Sequence, residues 1–276
     1  MSAQESYDLS ITILSYRNPA MLRMCLNSLA EALPRDITTE TIVVDNATIP
    51  ETQNVVLEEF VGKIPNLRLL PLKENTGYTR GVNEGFRAAR GEYILSLNYD
   101  IIVRPGAIKS LLDFHRQHPE IGLIGPELLN FTDTHQDSYF RFYTPLTVIY
   151  RRLPELPGGK RILDSFLMHD TDPKQIIEPD WISGAAMMVS RKAMEKISLL
   201  NEKLFHYFSD VDWAHRFWEN GLKVVYYPGA KLYHYLGRSS KGGFPLWDLI
   251  FKREARWHLT DGIRYFFIHG IRPKRK

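Results

Sequence analysis

Four short β-rich runs separated by helix-length segments fill the first hundred residues, and this alternation leaves few folds open to the chain. The runs are LSITILS at 9–15, TIVVD at 41–45, LRLLPL at 67–72 and YILSLN at 93–98. After the first, Asn18-Pro19 supplies an N-cap followed by proline at the first helical position. Met21, Leu22, Cys25, Leu26 and Leu29 then make the apolar stripe of a helix. Further helices are expected within 51–61 and over 81–89. Strands that alternate with helices at this spacing pair in parallel, because each crossover must pass over a sheet face; an α/β fold with helices on both faces follows.

In such sheets ligands bind beyond the carboxyl ends of the strands. Ser15-Tyr16, Asp45-Asn46 and Asn98-Tyr99-Asp100 each follow a run, and the loop Asn75, Thr76, Gly77, Tyr78, Thr79, Arg80, Gly81, Val82, Asn83 joins the third run to a helix. Glycines let backbone amides approach a phosphate there, and Arg80 can offset the charge of a diphosphate. Glycine-rich strand-to-helix turns are as often only structural. Farther on, Asp210 and Asp212 flank Val211 before an amphipathic segment ending at Asn220-Gly221, and His234 lies on the following strand. A proton acceptor and a metal ligand can thus face one pocket, although aspartates in a first helical turn also cap free amides and complement the macrodipole. His234, alone between Tyr233 and Tyr235, would more often be an ordinary half-buried histidine.

A chain of 276 residues, 44% apolar and 24% charged, is long enough for one large domain and an appendage, and is not disordered. One cysteine excludes a disulfide within the chain; with no signal pattern in MSAQESYD and no run of roughly 18 apolar residues, a cytoplasmic protein is expected. The net charge of +3 is unevenly placed. Residues 252–276 hold eight basic side chains against Glu254 and Asp261, a net of +6, so the rest of the chain carries about −3. This tail mixes Leu249, Ile250, Trp257, Ile263, Phe266, Phe267 and Ile268 with its cations, as a basic amphipathic helix at an anionic membrane surface does. Packing on the body of the protein is the competing expectation. Nucleic-acid binding is disfavoured, since the basic charge is confined to one end and no recognition motif accompanies it.

Six pieces occur in order: ITILSYRN, TIVVDNA, NTGYTRGVNEG, YILSLNYD, WISGAAMMVSR and YFSDVDWAHRFWENGLKVVYYPGAKLYHYLG. Together they resemble an inverting family 2 glycosyltransferase of the GT-A fold across most of the chain, with the layout most similar to bacterial rhamnosyltransferases of cell-surface polysaccharide synthesis. The resemblance implies a Rossmann-like, mostly parallel sheet over residues 1–245, with a nucleotide-binding half at 1–104, an acceptor half at 105–245 and a C-terminal amphipathic helix at 246–276. It implies transfer from a nucleotide diphosphate sugar, dTDP-rhamnose foremost or another UDP- or GDP-sugar, to a glycan or lipid-linked glycan at the cytoplasmic face of the plasma membrane. Divalent Mg2+ or Mn2+ is implied as cofactor, held by Asp100 and His234 with Asn98 as a weak ligand. Asp210 takes the place of the catalytic base, with Asp212 in reserve. The donor would meet Ser15, Tyr16, Asp45, Asn75, Gly77, Arg80, Asn83, Asn98, Tyr99 and Asp100, and the transferred sugar and acceptor would meet Trp181, Ser183 and Gly184.

Two positions depart from the family pattern. Asn98 stands for the first aspartate of the Asp-any-Asp signature, which removes one anionic ligand while leaving an amide oxygen that a hard cation accepts. Ser209 stands for the glutamate that usually precedes the base. A degenerate glycan-binding paralogue is the non-enzyme alternative that these changes motivate; a sugar nucleotidyltransferase would need a lysine- and arginine-rich glycine loop where this chain has SYRNP. Residues 130–180 break the α/β rhythm with Pro145, Pro154, Pro157 and Gly158-Gly159. Their aromatic group at Tyr139, Phe140, Phe142 and Tyr143 either stacks on a sugar or pins an insertion to the core. Oligomeric state is not legible.

Overall fold

The computed structural model describes residues 6–235 and 253–275. Strand β1 (Tyr7–Ser15) leads into α1 (Pro19–Ala32), which Asn18 caps by accepting from the Met21 amide at 3.2 Å. β2 (Thr39–Asp45), α2 (Pro50–Asn54) with a π-helical continuation at Val55–Phe60, β3 (Leu67–Pro71), α3 (Tyr78–Ala88) and β4 (Gly91–Asn98) complete the alternation expected from sequence. β3, β2, β1 and β4 pair in parallel in that order. Both faces of β1 and β2 are buried, so the polar residues that stand among the apolar ones, Ser10 and Thr12 of β1 and Glu40 and Thr41 of β2, are buried too.

The second half adds β5 (Ile101–Val103), α4 (Ala107–Gln117), β6 (Ile121–Leu129), β7 (His135–Gln136) and β8 (Tyr139–Phe140). Two helices follow, α5 (Pro145–Arg152) and α6 (Gly159–Phe166), then β9 (Trp181–Ile182), β10 (Ala186–Ser190), α7 (Arg191–Ile197), α8 (Ser209–Glu219) and β11 (Lys223–His234). β10 enters antiparallel between β4 and β6, β11 runs parallel to β6, and β5 closes the far edge antiparallel to β11. The result is a mixed, mostly parallel sheet with helices around it.

This order brings Asp100, between β4 and β5, beside the end of β11. His234 pairs with Ile101, and the Tyr235 amide donates to the Asp100 carbonyl at 3.0 Å. Residues 130–180 are held by stacking of Phe140 on Trp181 at 4.3 Å and by the β8–β9 ribbon. The described part of the basic tail is α9 (Arg253–His269), which packs against the body of the protein through Ala255, Asp261, Gly262 and Tyr265. Tyr265 stacks on Phe208, and both Asp261 oxygens are engaged: Oδ2 accepts from the His206 and Tyr207 amides, while Oδ1 faces Arg264. The expected boundary at 245–246 and the first residues of the expected terminal helix, 246–252, lie outside the described residues.

Candidate active site

At the carboxyl ends of β1 and β4 the sheet opens into a cleft of about 1350 Å³. Its floor includes Tyr16, Arg17, Asn18, Asn98, Tyr99 and Asp100; one wall is Trp181, Ser183, Gly184 and Asp210; another is Phe205 to Phe208 with Arg253, Trp257 and His258 of α9. Sequence reasoning offered no role for α9 in this wall, because the tail's cations drew attention to its outer face.

Asp100 and His234 meet here. His234 Nε2 lies 3.5 Å from Asp100 Oδ1, beyond good hydrogen-bond range, and that buried oxygen has no other partner. On the far side of the ring, Nδ1 lies 2.6 Å from Gln136 Oε1. Gln136 spends its amide hydrogens on Asn130 Oδ1 and the His234 carbonyl, so Oε1 accepts and Nδ1 must donate. His234 therefore presents a bare Nε2 towards a bare carboxylate oxygen. Two lone pairs facing each other suit a divalent cation, and an outer hydrogen bond that fixes the tautomer is the usual support of a histidine ligand. Asn98 lines the same cleft. The residues present thus fit a metal. Gln136 carried no signal in the sequence, being a neutral amide in a two-residue strand.

Asp210 is the second residue of α8 and reaches the cleft from the opposite wall. Its Oδ2 accepts from the Gly184 amide at 3.0 Å and its Oδ1 from the Val211 amide at 3.0 Å. Burial raises its proton affinity above the ordinary carboxylate value, with those two amides and the nearby Arg151 charge opposing the rise. Gly184 is required: a Cβ there would lie 2.5 Å from Tyr78 Oη, which itself donates to the Gly184 carbonyl at 2.8 Å. Phe208, just before α8, adopts a left-handed φ of 63°, a strained turn that aims the first helical residues at the cleft.

Asp212 does not enter the cleft. It is 1% exposed and faces the other way, Oδ2 accepting from Arg216 Nε at 3.0 Å and Oδ1 from His269 Nε2 at 2.8 Å. Asp212 thus points away from the cleft that Asp210 enters, since two residues along a helix turn the side chain by about 200°.

The donor-side expectations divide. Tyr16, Asn75, Asn98, Tyr99 and Asp100 line the cleft; Ser15, Asp45, Gly77, Arg80 and Asn83 do not. Asp45 is fully buried at the end of β2, where burial raises its pKa against the opposing pull of the Thr48 hydroxyl and the Ile49 amide. The Ser15 hydroxyl is buried without a partner. Asn83 is spent on the fold, donating to the Leu200 carbonyl and Glu202 and accepting from the Leu200 amide. Arg80 projects from α3 towards Glu202 at 3.4 Å; among the described residues, Arg17, Arg151 and Arg253 are the arginines that line the cleft. The glycine loop is organised by Asn46: its Oδ1 accepts from the Thr76 amide at 2.8 Å and its Nδ2 donates to the Gly77 carbonyl at 3.0 Å. Gly77 has φ 86°, and a Cβ would meet Phe205 at 2.7 Å. Trp181 is fixed by Nε1 donating to the Arg141 carbonyl at 2.8 Å.

The sequence profile of the family described as Glycosyl transferase family 2 matches residues 10–178, more than half of the chain. This chain belongs to that family. An N-acetylglucosaminyl-diphospho-decaprenol L-rhamnosyltransferase of Mycobacterium tuberculosis is 26% identical over 255 residues, covering 84% of this chain and 77% of the relative. The dTDP-rhamnosyl transferase RfbF of Shigella flexneri is 24% identical over 202 residues, 72% of this chain and 60% of the relative. Among solved structures, GalNAc-T7 with UDP, GalNAc and Mn2+ superposes with a TM-score of 0.65 at 16% identity, covering 87% of this chain and 46% of that one. The mannosyltransferase PcManGT from Pyrobaculum calidifontis, with GDP-Man and Mn2+, gives 0.59 at 15% identity, covering 94% of this chain and 65% of that one. These likenesses establish the GT-A glycosyltransferase fold.

Proposed function

We propose that this protein transfers a sugar, with inversion, from a nucleotide diphosphate donor to a hydroxyl of a glycan or lipid-linked glycan. The observation that carries the reading is the placement of Asp210, a half-buried carboxylate of raised proton affinity, across one cleft from the Asp100–His234 pair. Asp210 takes the proton of the acceptor hydroxyl as its oxygen attacks the anomeric carbon. The bond to the diphosphate breaks on the opposite face, and the configuration inverts. The Gly184 and Val211 amides hold the carboxylate in place, and Trp257, His258 and Phe208 give the cleft an apolar and aromatic wall that limits competition from water. Asp100, His234 and Asn98 would hold Mg2+ or Mn2+, whose charge would stabilise the leaving diphosphate. Arg17 and Arg151 contribute fixed positive charge to the same cleft.

Rhamnose from dTDP-rhamnose is the donor favoured by the names of the two relatives above. For a lipid-linked acceptor the outer face of α9 is suited to a peripheral contact: Leu259, Ile263 and Phe267 repeat every four residues and are exposed, Phe267 at 87%, among exposed Arg256, Arg264 and Arg272. No helix among the described residues is long and apolar enough to cross a membrane. The test is a donor panel of dTDP-, UDP- and GDP-sugars with Mn2+, read by release of nucleoside diphosphate with acceptor present. Turnover of dTDP-rhamnose supports the reading; turnover of a UDP- or GDP-sugar alone reassigns the donor, and glycan binding with no turnover of any donor favours the degenerate paralogue.

A further inference from the structure

On the side of α8 turned away from the cleft, His215, Glu219 and His269 gather with one potential ligand atom each, all within 4.8 Å of one another. His215 is buried, its side chain 4% exposed, yet Nε2 has no hydrogen-bond partner and Nδ1 faces only the Glu219 carboxylate. Leaving a buried imidazole unpaired is costly, and few such groups persist without a reason. The Glu219 carboxylate is 3.6 Å from His215 Nδ1, aimed at it but beyond hydrogen-bond range. His269 donates Nε2–H to Asp212 at 2.8 Å, which leaves Nδ1 bare. A carboxylate behind a histidine is the outer-shell arrangement that orients an imidazole for coordination.

We propose that His215, Glu219 and His269 form a second metal site, for a Zn2+-like transition ion, that staples α9 to α8. Two imidazoles and one carboxylate with a fourth position open to water match the ligand set of tetrahedral zinc. His215 and Glu219 are one helical turn apart on α8, and His269 closes the site from the last residue of α9. The site differs from the Asp100–His234 pair, where the Asp100 carboxylate and the Asn98 amide offer oxygen atoms that suit a hard cation. Its consequence is mechanical. α9 supplies Trp257 and His258 to the cleft wall, so a metal at its far end fixes that wall against the helix bearing Asp210. The inference rests on α8 and α9 alone and stands independently of the transfer reading.

The experiment uses the untagged full-length chain with His234→Ala, so that the other site does not compete, dialysed against micromolar Zn2+ in excess Mg2+. Metal analysis should find about one Zn2+ per chain, and thermal denaturation should show a midpoint that rises with Zn2+. Glu219→Gln, which keeps the side-chain shape at an exposed position, should weaken Zn2+ binding at least about tenfold, with the metal-free midpoint measured alongside so that any loss of stability is subtracted. His269→Ala should abolish retention. Amide exchange over 253–269 should slow on adding Zn2+. Absence of bound Zn2+, or retention unaffected by both Glu219→Gln and His269→Ala, would overturn the proposal.

Discussion

Replacing Asp212 by asparagine separates structure from catalysis at the entrance of α8. The carboxylate is 1% exposed and accepts from Arg216 at 3.0 Å and His269 at 2.8 Å, so solvent does not screen the pair. Asparagine keeps one acceptor oxygen but turns an amide donor towards the other partner. A charge-assisted hydrogen bond contributes about 1.5–3 kcal/mol, and removing one member of a buried pair costs about 3–5 kcal/mol. His269 can switch tautomer and accept from the new amide, which keeps the loss near the lower end, about 3 kcal/mol. For a chain of this size that lowers the thermal midpoint by roughly 5–10 °C. Calorimetry of wild type and variant reads the shift, and donor turnover normalised to folded protein reads the chemistry. Normalised turnover should stay within about tenfold of wild type. An unshifted midpoint together with a loss of about 10²-fold or more in turnover would refute this account and return Asp212 to the catalytic roles.

Three further outcomes are expected. Asp100→Ala should lose nearly all transfer and excess EDTA should silence the wild type, while Gln136→Leu, which frees the His234 tautomer, should weaken metal activation about 10- to 100-fold, as read by Mn2+ titration of activity; full activity in EDTA would contradict the metal role. The acid limb of the turnover profile should lie above 3.8, because burial raises the pKa of Asp210 and the base works only when ionised: activity is present above the raised value and is lost as pH falls through it. A profile still flat at pH values near an ordinary carboxylate would contradict this. Phe267→Ser with Ile263→Ser, both on the exposed face of α9, should release the protein from anionic liposomes and slow transfer to a lipid-linked acceptor while sparing a short soluble one, and binding should fall with salt; intact protein that ignores such liposomes at low salt would remove the membrane reading.

Much of the nucleotide-side fold is legible in the sequence because its strands are short β-rich runs separated by helix-length segments with well-marked helix starts such as Asn18-Pro19. β10 is less legible: five residues of ordinary apolar character say nothing about antiparallel insertion between β4 and β6. α5 and α6 were hidden by prolines and glycines that turn out to start helices, Pro145 at N1 and Gly158 as a left-handed cap. At the site, chain position near a glycine loop could not tell which way a side chain points. Arg80 and Asn83 leave towards Glu202 and Leu200, while Arg17 and Arg151, remote in sequence, reach the cleft. The separation of Asp210 from Asp212 was available from helical periodicity alone, whereas the Gln136 contact depends on tertiary pairing of β7 with β6 and has no local signature.

The central claim, that Asp210 accepts the acceptor's proton, is tested most directly by comparing wild type and Asp210→Asn in two measurements on the same preparation: donor affinity by calorimetry in Mn2+, and single-turnover formation of the glycoside with saturating donor and acceptor. The amide preserves shape and can still accept from the Gly184 amide but cannot take up the proton, so donor affinity should change less than about threefold while the transfer rate falls by at least about 10²-fold. A variant that transfers at close to the wild-type rate with donor bound would contradict the assignment of Asp210 as the base.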